Sequence, residues 1–232
     1  LLFEQDALGA LRFLRRGQLS LLIPMVQSYR AVAGLSEFGG GFGDVNLSGR
    51  WDFTDAGRGL LPGLAVLAGV TLPTGRAPED SPGLLGTGAT GTGTVQANVG
   101  VAVEELRGPW LLNASLIGAL RSARDVNGIR SQLGPRLTAL AGAAYVWKSE
   151  LALGLLGTGA WEGAASVEGG SLAAREKHLV SFSLVVSAPL GRGVRMQGAL
   201  FFQPPIAHFG ENESGAAGLS VTFATAREFS RR

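Results

Sequence analysis

The chain carries two histidines, His178 and His208, and Glu176 lies just before the first of them. On an extended strand Glu176 and His178 share one face, with His208 across the following hairpin, so the trio could hold a metal ion or activate a water. Polar residues near loops are by default a solvated surface, and neither catalysis nor a metal is expected from them. The sequence holds no G-x-S-x-G nucleophile elbow and no H-E-x-x-H zinc pair. Gly86-Thr87-Gly88-Ala89-Thr90-Gly91 spells G-x-G-x-x-G. A phosphate cradle needs a strand before that motif and a helix after it. Here an extended, alternating segment follows, so the glycines read as loop flexibility. With Cys 0 there is neither a disulfide framework nor a thiolate metal site. No cofactor is expected.

What must position the remaining polar residues is a set of strands. The 232 residues include Gly 36 and only 16% charged residues, and the net charge is +2. Such a balance gives no reason to expect a nucleic-acid partner, although the sequence pI is about 9.5. Mean hydropathy of +0.24 is too apolar for a disordered chain. A spanning helix needs about 20 mostly apolar residues, and a spanning strand about 9–11. The longest charge-free apolar segment, from Arg58 to Arg76, is interrupted by Pro62 and Pro73, and the others have strand length. Period-two alternation then fixes the type. Val45, Leu47, Gly49, Trp51 and Phe53 oppose Asn46, Ser48, Arg50 and Asp52; Val95 to Val103 oppose Gln96, Asn98 and Glu104; Leu219, Val221 and Phe223 oppose Ser220 and Thr222.

Breaks near 15–18, 55–59, 107–109, 148–149 and 190–193 are short, whereas 31–42, 75–91, 122–131, 163–175 and 204–214 are long and polar or Gly-rich. Short turns at one end and long loops at the other describe an outer-membrane barrel, with the short turns in the periplasm. The expected fold is all-β, a transmembrane antiparallel up-and-down β-barrel over 1–225 with a periplasmic tail at 226–232. About 11 strands are visible, and the even count of such barrels calls for about 12, the first upstream of or at the chain start. Trp51, Phe53, Trp110, Tyr145 and Trp147 fall beside the short turns as one aromatic girdle; Trp161, Phe202 and Phe209 fall beside the long loops as the other. A soluble sandwich with core aromatics is opposed by the low charge on the parity it would expose. The Asn-x-Ser matches at Asn46, Asn113 and Asn212 carry no meaning in a bacterial barrel.

The inward parity gathers the charges. Arg12, Arg50, Asp52, Glu104, Arg121, Arg136, Glu162 and Arg195, with Glu4 and Asp6, would line the lumen beside Gln96, Asn98, Asn113 and Gln197. Interleaved signs point to pairs within the lumen rather than a one-sign selectivity ring. Leu67, Ile117, Leu140, Leu156, Val185 and Phe201 make the lumen partly apolar.

Gly43-Asp44-Val45-Asn46-Leu47 with Gly49-Arg50-Trp51, then Gly69-Val70-Thr71-Leu72-Pro73-Thr74-Gly75 and the Gly-Thr-Gly stretch from Gly86 to Gly93, resemble the bacterial outer-membrane transporters named after the phenol-degradation meta-pathway. Arg16-Gly17-Gln18-Leu19 through Ile23-Pro24 is similar to that family's strand entering a corner, with Met25 in place of the usual aromatic. The resemblance covers most of the chain through short, glycine-based motifs. It implies a barrel that passes small, often apolar compounds. Gly218, Val221 and Phe223 resemble the C-terminal signal read by the barrel-assembly machinery, although residues follow Phe223 up to Arg232.

Two functions follow from this reading. One is a passive channel for small solutes, apolar ones included. The other is a structural or anchoring barrel within a larger envelope complex. Both place the chain in the outer membrane of a Gram-negative bacterium with periplasmic termini. Its expected partners are outer-membrane lipids and lipopolysaccharide, the assembly machinery, and any envelope-complex proteins.

Overall fold

The computed structural model describes residues 1–57, 61–168, 170–172, 176–191, 193–204 and 215–225. Eleven strands form one antiparallel path: β1 (Leu2–Phe13), β2 (Gly17–Val32), β4 (Val45–Asp52), β5 (Gly63–Leu72), β6 (Gln96–Arg107), β7 (Trp110–Arg121), β10 (Arg136–Val146), β11 (Ala152–Glu162), β14 (Lys177–Gly191), β15 (Val194–Gln203) and β16 (Ala216–Thr225). These follow the alternating segments of the sequence within a few residues. No helix among the described residues is long and apolar enough to cross a membrane. The sheet curls into a half-barrel, and β1 and β16 share no ladder among the described residues.

The long segment 31–42 corrects the loop expected there. It contains the end of β2, a two-residue turn and β3 (Leu35–Phe42), which pairs with β2. Ala33 and Gly34 take φ of 49° and 83°, the two positive angles that a two-residue hairpin requires. Strands β3 and β4 are effectively one strand broken opposite Pro24: β2 ladders with β3 through 25–32 and with β4 through 17–22. Pro24 has no N–H to continue the ladder, and the Gly43 N–H instead donates to the Pro24 carbonyl at 2.8 Å. The long segments 122–131 and 163–175 likewise hold short strands. There β8 (Arg124–Val126), β9 (Ile129–Gln132), β12 (Ala165–Val167) and β13 (Gly170–Leu172) form a second sheet in the order β13-β12-β9-β8.

Registers define the two faces, because residues directly opposite in antiparallel neighbours point the same way. Ser20, Ser48, Gly69, Asn98, Ala119, Arg136 and Glu162 stand in one row across β2 to β11. The adjacent row is Leu19, Gly49, Ala68, Val99, Gly118, Leu137 and Trp161. The first row lies on the concave side and the second on the convex side. Large apolar residues crowd the convex face and remain exposed, Val99 at 68% and Leu120 at 69% among them. Soluble monomers rarely expose contiguous apolar surface of this extent. The buried alanines Ala65, Ala102 and Ala119 lie on the concave side instead.

Candidate functional site

Three successive concave rows build a cavity of about 450 Å³ across β2, β4, β5, β6, β7 and β10. Asn46 and Gln96 come from the row nearest the long loops. The middle row gives Ser20, Ser48, Asn98 and Arg136, and the next gives Gln18, Arg50, Leu67, Ile117 and Thr138. Seven of these side chains are amides or hydroxyls, two are guanidiniums, and Leu67 and Ile117 supply the apolar part. Gln96, Asn98, Arg50 and Arg136 stood out in the sequence by charge or amide character. Gln18, Ser20 and Thr138 were not among the expected lumen residues, nor were Asn46 and Ser48, although the sequence sets those two on the polar parity.

The other inward candidates divide into local networks. Toward the short turns, Asp52 receives Arg12 at 3.1 Å and Arg50 Nε at 2.6 Å, while Arg50 Nη1 bonds Glu104. Arg50 on β4 reaches Glu104 on β6 across β5, where the register places Ala65 between their rows. A small residue there leaves room for the guanidinium, and Ala65 is only 3% exposed. Toward the long loops, Arg121 meets Glu162 through Nη1–Oε1 at 2.7 Å and Nη2–Oε2 at 3.1 Å, and Nε donates to Gln96 at 2.9 Å. Gln96 in turn donates to Asn98 at 2.8 Å. Arg195 sits at the short-turn rim, bonded to the Glu150 carboxylate and carbonyl, each at 3.1 Å, with Gln197 further up the same concave face. Asn113 is concave, opposite Glu104. Arg136 differs from all of these: among the described residues its side chain makes no hydrogen bond or ion pair, although Glu162 is its direct cross-strand neighbour. Both oxygens of that carboxylate already serve Arg121.

The Gly-rich loop after β5 is not loose, which corrects the flexibility inferred from its glycines. Two of its residues, Thr87 and Thr94, are the most buried side chains described, at 2% and 1%. Glu37, on β3, accepts the Leu85 N–H at 2.9 Å, the Thr87 N–H at 3.2 Å and the Thr87 hydroxyl at 2.5 Å. The Thr87 hydroxyl, followed by the Leu85 N–H, holds the Glu37 carboxyl below its ordinary pKa. Ser28 donates to the Thr87 carbonyl and Arg30 to the Leu85 carbonyl, each at 2.8 Å. Asp44 accepts the N–H groups of Gly75 at 3.0 Å and Thr92 at 2.7 Å. Gly39 permits the approach: a Cβ there would lie 2.6 Å from the Thr87 backbone. The loop is thus fastened to the concave side of the β2–β3 ladder, beside the cavity.

On the convex face, Trp51, Trp110, Tyr145 and Trp147 lie at the short-turn end with Phe53 just past β4. Trp110 and Tyr145 meet edge to face at 5.3 Å, and Tyr145 and Trp147 at 4.9 Å. Trp161 and Phe202 lie at the long-loop end of the same face. Val221 and Phe223 point outward on β16. Gly218 points inward, where a Cβ would strike the Phe201 ring. His178 is convex, opposite Trp161, and Glu176 precedes β14. His208, Phe209, Asn212 and the tail 226–232 lie outside the described residues. Among the described residues no group of carboxylates and histidines could hold a metal ion.

No family model matches the chain, and no curated protein is significantly similar to it. Among solved structures it is similar to the COG4313 outer membrane channel from Pseudomonas putida F1. The TM-score is 0.72 at 15% identity, and the alignment covers 96% of this chain and 79% of that one. At that identity the likeness establishes a shared architecture: an all-β, antiparallel, barrel-type sheet.

Proposed function

We propose that the protein is an outer-membrane channel through which small solutes diffuse along the concave face. The observation that carries this is the amide- and hydroxyl-lined cavity on the polar side of a sheet whose other side is apolar and exposed. In hydrocarbon every backbone N–H and C=O must find an internal partner, so a sheet crosses a bilayer only as a closed barrel. Since β1 and β16 run in the same direction, closure takes one further ascending strand between them. A second copy inserted in the same orientation offers only descending edges and cannot supply it. The fold neighbour is an outer membrane channel, and the glycine motifs resemble the phenol-pathway transporters; both support the reading. In this reading the short turns and the end of β16 are periplasmic, Leu1 stands at the long-loop end, and a closing strand upstream of β1 would carry the N-terminus to the periplasm.

The polar lining favours solutes that hydrogen-bond, with Leu67 and Ile117 as an apolar strip. The alternative, a purely structural barrel, draws on the Arg12–Asp52–Arg50–Glu104 network, which could close the short-turn end. Planar-bilayer recording decides between them. Discrete conductance steps from the purified protein support the channel, whereas a folded protein that passes no current and no labelled solute supports the structural barrel.

A further inference from the structure

We infer that the cavity contains a saturable binding site for small amphipathic carboxylates, with Arg136 as the residue that receives the carboxylate. The inference rests on the reading of this concavity as a solute path and names the chemistry of the solute. Of the two guanidiniums lining the cavity, Arg50 is occupied on both sides, by Asp52 through Nε and by Glu104 through Nη1. Arg136 has no such partner among the described residues, and the carboxylate across from it, Glu162, is paired with Arg121. The group Arg121, Glu162 and Arg136 therefore carries a net charge of +1 that no other described residue pairs with.

A guanidinium keeps its charge at any ordinary pH and presents a planar fork matched to a carboxylate. Asn98 and Ser48, in the same concave row as Arg136, supply a neutral donor amide and a hydroxyl. Leu67 and Ile117, one row toward the short turns, offer a short hydrocarbon tail an apolar surface. The cavity volume lies within the range of small-molecule sites, about 300–1,000 Å³. A ligand with an anionic head and a short apolar tail satisfies both features. A neutral amide leaves the charge unmet, and an inorganic anion leaves the apolar strip unused.

The test is calorimetric titration of the full chain in neutral detergent with hexanoate and with hexanamide. Hexanoate is expected to bind saturably and at least tenfold more tightly than hexanamide. Arg136→Gln should weaken hexanoate at least tenfold and leave hexanamide unchanged, with Arg136→Lys between the two. Unaltered heat-modifiable gel migration checks that each variant is folded. Equal binding of acid and amide, no binding, or full hexanoate affinity in Arg136→Gln overturns the site. Phosphate competing as well as hexanoate itself overturns the amphipathic part and leaves a plain anion site. Bilayer conductance is recorded on the same preparation: a conducting protein without hexanoate binding loses only the site, and a binding protein without conductance loses only the channel.

Discussion

Removing the Glu162 carboxylate tests whether the concave charges are structural pairs. Arg121 has a side chain only 5% exposed, and Glu162 is 20% exposed. The carboxylate takes two guanidinium contacts, at 2.7 and 3.1 Å, and Gln96 takes the third at 2.9 Å. Glu162→Ala would leave a buried cation with one neutral acceptor. Breaking a buried pair from one side costs about 3–5 kcal/mol. Because water still reaches Glu162, the lower end applies, about 3 kcal/mol. With a urea slope of about 1–3 kcal/mol/M, the unfolding midpoint in lipid or detergent should fall by about 1 M or more. The double variant Arg121→Met with Glu162→Leu should stay within about 1 kcal/mol of the parent, because the buried cation is removed together with its partner. If Glu162→Ala moves the midpoint by less than about 0.3 M, the pair contributes little and the reasoning fails.

Three further outcomes are expected. Val101→Arg, on the convex face at mid-strand, should cost about 2–4 kcal/mol in a bilayer, whereas Asn98→Arg on the concave face should cost far less; urea titration in vesicles measures both. Gly218→Ala forces Phe201 to move and should destabilise by about 1–3 kcal/mol, an effect relieved in a Phe201→Ala background. Glu37→Gln should raise hydrogen exchange of the amides at Leu85 and Thr87. Since the folded Glu37 pKa is depressed, its hold on the loop is fully present above the ordinary carboxylate value and is lost as pH falls through the folded one. Protection factors there, which remove the intrinsic pH dependence of amide exchange, should therefore be level from neutrality down to about pH 5 and fall on further acidification, with Glu37→Gln showing no such fall.

The strands were legible in the sequence because period-two alternation is a local signal. Val99, Val101 and Val103 against Asn98 and Gly100 place β6 on two faces without further information. What escaped was long-range. The Phe38-Gly39-Gly40-Gly41-Phe42 run looks like a loop because glycine is depleted in strands. Gly39 is there so that Thr87, far along the chain, can approach. The Gly-rich loop looks flexible until Glu37 and Asp44 are placed beside it, and nothing local announces those partners. One missed signal was readable: Asn127-Gly128, with φ of 53° and 81°, is a strong hairpin pair between β8 and β9. That Arg136 has no partner among the described residues was not readable, since it depends on which of two arginines pairs with Glu162.

The central claim is that one parity of these strands meets hydrocarbon and the other meets water. Since the sequence has Cys 0, single-cysteine variants along β6 report one site each. Fluorophores at residues 97, 99, 101 and 103 in reconstituted vesicles should be quenched by brominated lipid and spared by a water-soluble quencher. Those at 96, 98 and 104 should show the reverse. Uniform quenching by the aqueous reagent, or no alternation along the strand, would contradict the account.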